Sequence, residues 1–414
     1  MVSAKLQFSA KQILIHWIQS RVPLERVVAG VFKDSAMGSS ERRELQSRLY
    51  TWSRYWPLFS STFDEREIDS PKGTQALVNR IEETWAWGPE RWDRLHSKMR
   101  PTFADDPRRH LAVVHGANTD ILSQLSEPDL LPFHDYLHAS LREAPLTIRC
   151  RDLETSEALR ELYPQLEFTP GAYSPLCLKT SARWAATQSP EYLEGRFEIQ
   201  DESSQMVSLF CEVQPGMKIL DLCAGAGGKT LHLANLLSGK GEIHAWDPSH
   251  KKLQELQKRA RRWGYTNIQT LGESPRTAEA YDLVLVDAPC SSLGTLRRRP
   301  QLLASTSRQD FVRLAGLQRE LIEQGLRLVN PSGLVVYATC SVLVSENFGQ
   351  VKNRARDPLA HSPVLSAFLR TLQDSPSAKI STIPPEDFGV NAAQMSSHDT
   401  FSGDGFFVTR LTTK

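Results

Sequence analysis

From about residue 216 onward, short β-rich runs alternate with stretches of helical periodicity, and no other feature constrains the fold as strongly. This alternation is typical of a parallel sheet, because parallel neighbouring strands require a crossover connection that is usually a helix. The predicted strands are 218–223, 242–247, 267–271, 281–287, 333–339 and 405–411. The predicted helices are 228–239, 249–263, 308–329 and 344–356. We therefore predict an α/β domain.

Upstream of this sheet the chain changes character twice. Residues 1–140 show helical periodicity interrupted by prolines, so we predict a small helical domain. Residues 141–205 combine strand-like and short helical pieces, which predicts a small α+β module, and the α/β domain then occupies 206–414. Within that last domain, the proline-rich segment 357–403 is predicted to be irregular. The module's predicted elements are a strand at 145–151, a helix at 155–163 and a strand at 176–180.

Composition limits the class of protein. The 414 residues are 40% hydrophobic and 23% charged, which is typical of a globular chain. No apolar run approaches the ~18–20 residues of a membrane span, and the first residues lack a secretory apolar core, so we expect a cytoplasmic protein without a membrane association. None of the six cysteines forms a CxxC pair, so we expect no metal site. A formal net charge of +1 argues against a generic polyanion binder.

A glycine-rich turn follows the first strand of the α/β domain. It reads DLCAGAGGKT over 221–230, and its glycines allow a ligand to approach the backbone at a helix N-terminus. The pattern matches neither a phosphate-binding loop nor a dinucleotide fingerprint, whereas Asp247, at the end of the second strand, can accept both hydroxyls of a ribose. These features favour an adenosine cofactor that carries a cation, and S-adenosylmethionine fits. The alternative is a structural turn followed by an aspartate that caps the next helix.

Two cysteines directly follow predicted strands. Cys290 lies in DAPCSS and Cys340 lies in TCS, so both are expected at the carboxyl edge where open α/β sheets bind ligands. A thiolate that adds to carbon 6 of cytosine activates carbon 5 toward a methyl sulfonium, and a carboxylic acid would stabilise the charge at ring nitrogen 3. Either cysteine alone is more simply explained as a packing residue. Together with Asp287 and an adenosine site, the pair favours catalysis.

Five segments, present in a characteristic order, resemble one protein family: FEIQDESSQ (197–205), DLCAGAGGKT (221–230), YDLVLVDAPCSSLGTLRRRP (281–300), LVVYATCSVLVSEN (334–347) and DGFFVTRL (404–411). The family is that of the NOL/NOP/Sun RNA cytosine-5 methyltransferases, in particular the bacterial Sun-type, 16S rRNA methyltransferase B-like branch. The resemblance implies an α/β Rossmann-like, S-adenosylmethionine-dependent methyltransferase domain with a mostly parallel sheet and an antiparallel C-terminal strand. It further implies an RNA-contacting module over 141–205 and, more loosely, a NusB-like RNA-binding domain over 1–140.

The resemblance also implies roles for individual residues. Cys340 would be the nucleophile on carbon 6, Cys290 would help to release the methylated product, and Asp287 would contact both the cofactor and the base. In the alternative mechanism of DNA cytosine methyltransferase-like enzymes, the Pro-Cys thiol is the nucleophile, and the presence of TCS favours the RNA type. Asp247 would bind the cofactor's ribose, and Glu273, where many members have aspartate, would lie on its adenine side. The turn would bind the cofactor through Cys223, Ala224, Gly225, Ala226, Gly227, Gly228 and Lys229.

RNA is the expected partner. Its phosphates are predicted to contact Arg297, Arg298 and Arg299, which follow the DAPCSS loop. The basic helix 249–263 is more simply a solvated face. A chain with no overall basic character is expected to make a limited number of phosphate contacts, and nothing requires more than a monomer. Two alternatives remain: a tRNA rather than an rRNA enzyme, and a non-catalytic RNA-binding or ribosome-assembly protein that keeps the fold. A methyltransferase for a small molecule or a protein would leave both cysteines unexplained.

Overall fold

The computed structural model describes residues 4–20, 22, 24–98, 106–275, 281–351, 392–395 and 404–412. The chain forms two compact units, a helical unit made of Met1–Arg142 with Leu296–Arg308, and an α/β unit made of Glu143–Thr295 with Gln309–Lys414. The predicted helical domain therefore gains a returning segment that the sequence did not indicate. Most of the predicted irregular segment 357–403 lies outside the described residues.

The helical unit begins its helices at the prolines that interrupt the sequence periodicity. Pro71 and Pro107 each occupy the first turn of a helix, and Ser70 and Asp106 cap those helices by accepting a backbone N–H. Trp52 and Trp92 are among the largest fully buried side chains. The helices are α1 Ala4–Ser20, α2 Leu24–Lys33, α3 Ser39–Arg54, α4 Trp56–Ser60, α5 Pro71–Thr84, α6 Pro89–Lys98, α7 Pro107–His115, α8 Thr119–Leu122 and α9 Glu127–Ser140, with a short helix Leu302–Ser305 in the returning segment.

The α/β unit begins with a small antiparallel sheet. Its strands are β1 Leu146–Cys150, β2 Thr169–Pro170, β3 Cys177–Thr180 and β4 Phe197–Ile199, in the order β2-β3-β1-β4. Ile148 and Phe197 are completely buried in its core, where Phe197 stacks on Trp184. This sheet corresponds to the α+β module expected over 141–205, but its residues belong to the same compact unit as the larger sheet.

The larger sheet has the order β10-β11-β9-β8-β5-β6-β7. The five strands from β9 to β7 in this order are parallel to one another. β11 pairs antiparallel with β9, and β10 pairs antiparallel with β11, which confirms the predicted sheet. The strands are β5 Lys218–Asp221, β6 Glu242–Ala245, β7 Ile268–Thr270, β8 Tyr281–Asp287, β9 Val329–Thr339, β10 Ala392–Met395 and β11 Phe406–Thr412. The accompanying helices are α10 Leu153–Leu162, α11 Pro190–Leu193, α12 Glu202–Phe210, α13 Gly228–Leu236, α14 His250–Trp263, α15 Arg308–Leu328 and α16 Phe348–Val351. Five 3₁₀ turns, at Glu65–Glu67, Pro164–Leu166, Ala186–Gln188, Leu293–Thr295 and Val344–Glu346, complete the described secondary structure.

Both faces of the larger sheet are buried, which explains the nearly continuous apolar sequence of its central strands. Along β8, Leu283 and Leu285 pack into a core with residues of α12 and α13. Val284 and Val286 point to the opposite face and pack with Leu321 and other residues of α15. Because successive side chains of a strand point to opposite faces, one unbroken apolar strand supplies both cores.

The order of the strands determines where a ligand can bind. The chain passes from β5 outward through β6 to β7, and β8 then adds to the other side of β5. Open α/β sheets bind ligands at such a switch point, beyond the carboxyl ends of the strands. The glycine-rich turn after β5 and the DAPCSS loop after β8 therefore meet at this edge. Among the described residues, no helix combines the length and apolarity that a membrane span requires.

Candidate active site

The two cysteines that follow β8 and β9 are brought together at the carboxyl edge of the sheet. The strands are parallel neighbours with Asp287 paired with Ala338, so Cys290 and Cys340 leave the sheet at the same level. Their Sγ atoms are 3.4 Å apart, which is hydrogen-bond distance for sulfur and far from the about 2.0 Å of a disulfide. Both side chains are half-buried. The structure thus places two reduced thiols in contact with each other.

The environment of the thiol pair distinguishes its two members. The hydrogen bond with Cys290 lowers the pKa of Cys340 despite its burial, and Ser292 Oγ, 3.4 Å from the Cys340 Sγ, acts in the same direction. The same hydrogen bond, with burial, raises the pKa of Cys290. Cys340 is therefore the favoured thiolate and Cys290 the favoured thiol. Burial raises the pKa of the remaining thiols, Cys150, Cys177, Cys211 and Cys223.

A buried glutamate connects the two cysteine loops. Glu346 is 1% exposed and accepts hydrogen bonds from the Ser291 backbone N–H at 2.8 Å and from the hydroxyls of Ser291 and Ser341 at 2.5 Å each. Gln318 of α15 donates a further bond at 3.2 Å. Because Ser291 follows Cys290 and Ser341 follows Cys340, the carboxylate holds the two thiol-bearing loops in register.

Asn347 and Ser292 complete the geometry of these loops. The Asn347 side chain accepts a bond from Thr339 Oγ1 at 2.6 Å and donates one to the Ser341 carbonyl at 3.0 Å, which fixes the backbone on either side of Cys340. Ser292 adopts the left-handed conformation with φ 59°, which costs an L-residue about 1–2 kcal/mol. The surrounding hydrogen bonds hold Ser292 in this conformation, which places its hydroxyl near the Cys340 sulfur.

Lys229 and Asp287 form an ion pair next to the thiols. The Lys229 Nζ lies 2.6 Å from the Asp287 Oδ2, which joins the first turn of α13 to the end of β8. Burial of the ammonium lowers the pKa of Lys229, but the pairing with Asp287 outweighs it and leaves the pKa raised. The ammonium is therefore charged in the site that also holds Cys340.

The glycine-rich turn forms a cradle between β5 and β6. Gly227 has φ 90°, and a Cβ there would lie 2.6 Å from the Leu256 side chain, so this position requires glycine. Gly225 has φ 55°, and a Cβ there would meet no atom within 4 Å, so its surface faces open space. Asp247 is buried and accepts hydrogen bonds from the backbone N–H groups of Gly225 and Ser249 at 3.1 and 2.8 Å. Ala224, Ala226 and Gly228 lie in the same turn, which Arg259 secures by donating to the Ala226 carbonyl at 2.6 Å.

The remaining predicted site residues lie elsewhere. Glu273 is an exposed residue beyond the end of β7, and its contact with the cofactor stays a prediction. Arg297, Arg298 and Arg299 belong to the helical unit rather than to the unit that holds the cysteines.

The three arginines have protein partners where phosphate contacts were expected. Arg297 is only 8% exposed and donates to the Arg142 carbonyl at 3.3 Å, because the segment 296–308 packs into the helical unit. Arg299 forms an ion pair with Glu25 at 2.8 Å. Arg298 is half-buried and likewise has interactions within the protein, so the phosphate contacts of the triplet remain a prediction.

Comparison with known proteins identifies the family. A family model described as 16S rRNA methyltransferase RsmB/F matches residues 208–412. The protein MT1451 of Mycobacterium tuberculosis (strain CDC 1551 / Oshkosh), which carries the name of a methyltransferase, is 30% identical over 340 residues, 78% of this chain and 72% of that protein. The chain belongs to the NOL/NOP/Sun methyltransferase family.

Two further relatives show how far this likeness extends. The human tRNA (cytosine(72)-C(5))-methyltransferase NSUN6 is 34% identical over 187 residues, which are 39% of each chain. The crystal structure of PH0851 is similar in fold with a TM-score of 0.67, at 22% identity and over 98% of both chains. The fold of PH0851 is thus shared along the chain, whereas the 34% identity to NSUN6 is restricted to 39% of it.

The cofactor of this NOL/NOP/Sun methyltransferase is S-adenosylmethionine, and the cradle fits it. The open space beside Gly225 lies where a ligand would meet the backbone, and the buried Asp247 carboxylate next to it suits ribose hydroxyls. Bound there, S-adenosylmethionine would bring an activated methyl group to the edge of the sheet where Asp287 and the two cysteines end.

Sequence reasoning missed two functional side chains of this NOL/NOP/Sun site. Lys229 was assigned only a backbone contact, although its ammonium pairs with Asp287. Glu346 lies in the LVVYATCSVLVSEN segment and received no role from the sequence, although its carboxylate joins the two cysteine loops. The available signal was the serine that directly follows each cysteine, since two buried hydroxyls in facing loops require a common acceptor.

Proposed function

We propose that this methyltransferase transfers a methyl group from S-adenosylmethionine to carbon 5 of a cytosine in RNA. The observation that carries the proposal is the thiol pair: Cys290 and Cys340 lie 3.4 Å apart at the carboxyl ends of adjacent strands, and Cys340 has the lowered pKa. RNA as the substrate is supported by the 16S rRNA methyltransferase RsmB/F model and by the tRNA cytosine-C5 specificity of NSUN6. We favour rRNA, because the family model described as a 16S rRNA methyltransferase matches 208–412, whereas the likeness to the tRNA enzyme NSUN6 covers 39% of the chain.

The first step uses Cys340 as a nucleophile. Its thiolate forms a bond to carbon 6 of the cytosine, and the electron pair of the carbon 5–carbon 6 double bond moves into the ring. Carbon 5 would then take the methyl group that S-adenosylmethionine, held by the glycine-rich turn and Asp247, would supply from its sulfonium, with the demethylated thioether as the leaving group. The Lys229–Asp287 pair lies beside Cys340 and stabilises the charge that develops on the ring, with the ammonium as the cationic member.

An ion pair at this position refines the role expected for Asp287. The sequence suggested a carboxylic acid at ring nitrogen 3, whereas the structure pairs Asp287 with the Lys229 ammonium at 2.6 Å. In the proposed arrangement Asp287 accepts a hydrogen bond from the exocyclic amino group of the base, and Lys229 holds the carboxylate in place. Asp287 and Lys229 therefore act together in orienting the cytosine.

The last step restores the enzyme. Water takes the proton from carbon 5, and the electron pair of that carbon–hydrogen bond re-forms the carbon 5–carbon 6 double bond. The bond between carbon 6 and the Cys340 sulfur breaks at the same time, and its electron pair returns to the sulfur as thiolate. Cys290 has a raised pKa and so keeps its proton, which it donates as a hydrogen bond to the departing sulfur. Cys290 thus assists product release by stabilising the Cys340 thiolate.

The experiment compares wild-type protein with two cysteine variants. Cells that lack the protein are complemented with wild type, Cys340→Ala or Cys290→Ala, and total RNA is mapped by bisulfite sequencing. We expect a specific 5-methylcytosine in rRNA to be restored by wild type and not by Cys340→Ala. Cys290→Ala is expected to retain RNA as a covalent adduct that survives denaturing electrophoresis and disappears with RNase.

Three outcomes would contradict parts of the proposal. Full methylation by Cys340→Ala would remove the covalent mechanism. A methylated tRNA instead of rRNA would correct the substrate. Cofactor binding by purified protein without methyl transfer to any RNA would favour a non-catalytic RNA-binding protein. Cys211→Ala is the matched control, because this buried thiol has a raised pKa and lies in the core directly after α12.

A further inference from the structure

A cluster of histidines lies inside the helical unit. His110 and His115 belong to α7, and His134 belongs to α9. One ring nitrogen from each can be chosen so that all three lie within 4.8 Å of one another. The ring centroids are 5.9 Å apart for His110 and His115, 5.1 Å for His110 and His134, and 5.4 Å for His115 and His134. The three rings thus surround a common point.

The cluster is buried, and burial favours the neutral imidazoles that metals bind. His110 is 1% exposed and His115 is 4% exposed. His134 is partly buried, with 18% of its side chain exposed. Three imidazole rings that converge inside a helical unit call for a physical reason.

Two observations point to a bound cation. The Nε2 of His115 is buried, and no hydrogen-bond partner reaches it from the part of the chain that the structure describes. Such an atom is costly in a protein interior, and coordination to a metal would satisfy it. The Nδ1 of His134 lies 3.4 Å from the Asp135 carboxylate, an arrangement in which a carboxylate orients a metal-binding imidazole.

We propose that His110, His115 and His134 form a binding site for a divalent first-row transition metal ion, with zinc as its natural probe. Imidazole nitrogens suit zinc, copper and nickel, whereas magnesium and calcium prefer oxygen ligands. Tetrahedral zinc with nitrogen ligands at about 2.0–2.1 Å separates those nitrogens by about 3.3 Å, so the rings would move inward by side-chain rotation. The partly exposed His134 provides the side from which an ion and a water ligand enter.

His96 borders the cluster without belonging to the proposed ligand set. Its ring is 5.4 Å from that of His115, but its Nε2 lies 2.9 Å from the Val114 carbonyl and is used in that contact. The proposed ion would therefore join α7 to α9 with three protein ligands and leave one position for water. Its role would be to stabilise the helical unit, because three ligands from two helices connect segments that are otherwise held by packing.

The test is zinc binding by the full-length protein after dialysis against a chelator. Isothermal titration calorimetry with zinc chloride is expected to give one site in wild type, and zinc is expected to raise the Tm. His115→Gln and His134→Gln should each weaken zinc binding by at least about 10–100-fold and abolish the rise in Tm. His16→Gln is the matched control, because this exposed histidine of α1 lies outside the cluster.

The active-site thiols could also bind zinc, so a second measurement separates the two sites. Cobalt(II) bound by imidazoles gives weak visible absorption, whereas thiolate ligands add a strong sulfur-to-cobalt band in the near ultraviolet. We expect the visible absorption without the sulfur band in the Cys290→Ala, Cys340→Ala double variant, and its loss on adding His134→Gln. Because His134 is partly exposed, its variant is expected to fold even where His115→Gln does not. No binding by wild type, or binding unchanged in a folded His134→Gln, would overturn the proposal.

Discussion

Two buried glutamates in the α/β unit are bound by opposite kinds of partner. Glu346 accepts hydrogen bonds from neutral groups only among the contacts described, namely a backbone N–H, two serine hydroxyls and one glutamine amide. Glu198, on β4, accepts from the guanidinium groups of Arg259, at 2.8 Å, and Arg262, and from the Trp263 indole at 2.8 Å. Each is 1% exposed.

The difference in partners indicates different roles: Glu198 attaches the small sheet to α14, whereas Glu346 positions the two cysteine loops. At Glu198 two cations of α14 neutralise the carboxylate, and the contact fastens the small sheet to the helix that follows β6. Glu346 accepts short hydrogen bonds from Ser291 and Ser341, which directly follow Cys290 and Cys340, the two cysteines proposed to be catalytic. A charged pair tolerates small movements, whereas directed hydrogen bonds fix positions. We therefore expect Glu198 to govern stability and Glu346 to govern catalysis.

Glu198→Gln is expected to have the largest effect, and the effect is on stability. The amide would leave the partly buried guanidinium groups of Arg259 and Arg262, 15% and 17% exposed, without a counter-charge. Removing one partner of a buried pair typically costs about 3–5 kcal/mol, and the residual exposure places our expectation near 3 kcal/mol. Chemical denaturation followed by circular dichroism measures this free energy of unfolding.

The matched control for Glu198→Gln is Glu255→Gln on the same helix. Glu255 contacts Lys258 at 3.9 Å with both side chains more than half exposed, and such a pair contributes about 0–1 kcal/mol. The methyl-transfer rate of the folded Glu198→Gln protein should remain close to that of wild type. Equal losses of stability in Glu198→Gln and Glu255→Gln, or a loss of activity without a loss of stability in Glu198→Gln, would contradict the different roles assigned to Glu198 and Glu346.

The sequence predicted the fold and the reactive thiols because both depend on local pattern. Alternation of strands and helices gives the parallel sheet, and a cysteine directly after a strand falls at its carboxyl edge. Glu198 was noticed only as part of the FEIQDESSQ segment, and the basic residues of α14 were interpreted as a solvated face. Their pairing joins residues 61 and 64 positions apart, and no local pattern encodes that contact.

The arginine triplet and the histidine cluster are two further features whose surroundings the local sequence pattern does not predict. The triplet follows the catalytic loop in sequence, yet the chain leaves the α/β unit at Leu296 and the arginines belong to the helical unit. Metal sites were sought only through cysteine spacing, whereas the converging histidines come from α7 and α9. In both cases proximity along the chain and proximity in space differ, because the tertiary packing of helices decides which side chains meet.

Glu346→Gln is expected to affect catalysis more than stability. The amide group would present a donor to the hydroxyls of Ser291 and Ser341, which must then turn away, and the cysteine loops would shift relative to each other. A displacement of about 1 Å at a reacting group can cost about 100-fold in rate, so we expect a loss of about 10–100-fold in kcat. Labelled-methyl transfer to RNA measures this rate.

A positioning role and a purely structural role for Glu346 predict different pH profiles for the alkylation of Cys340. If Glu346 positions Cys290 against Cys340, its loss weakens the hydrogen bond that lowers the pKa of Cys340, and the pH profile of Cys340 alkylation moves upward. A general loosening of the fold would lower the Tm and leave that profile in place. Glu320→Gln, an exposed position on α15 near Gln318, is the control and should change neither quantity.

The smallest effect expected is a pH dependence of stability that distinguishes the two glutamates. Burial raises the pKa of Glu198, but Arg259 and Arg262 outweigh it and leave the pKa lowered. A carboxyl with a lowered pKa in the folded state contributes its stability above the pKa of the unfolded chain, about 4.3, and loses it as the pH falls through the folded value. The stability advantage of wild type over Glu198→Gln should therefore be constant from pH 8 to about pH 5 and shrink below it. Denaturation midpoints of the two proteins across this range measure the advantage, and one that grows on acidification would mean that the arginines do not hold Glu198 in its charged form.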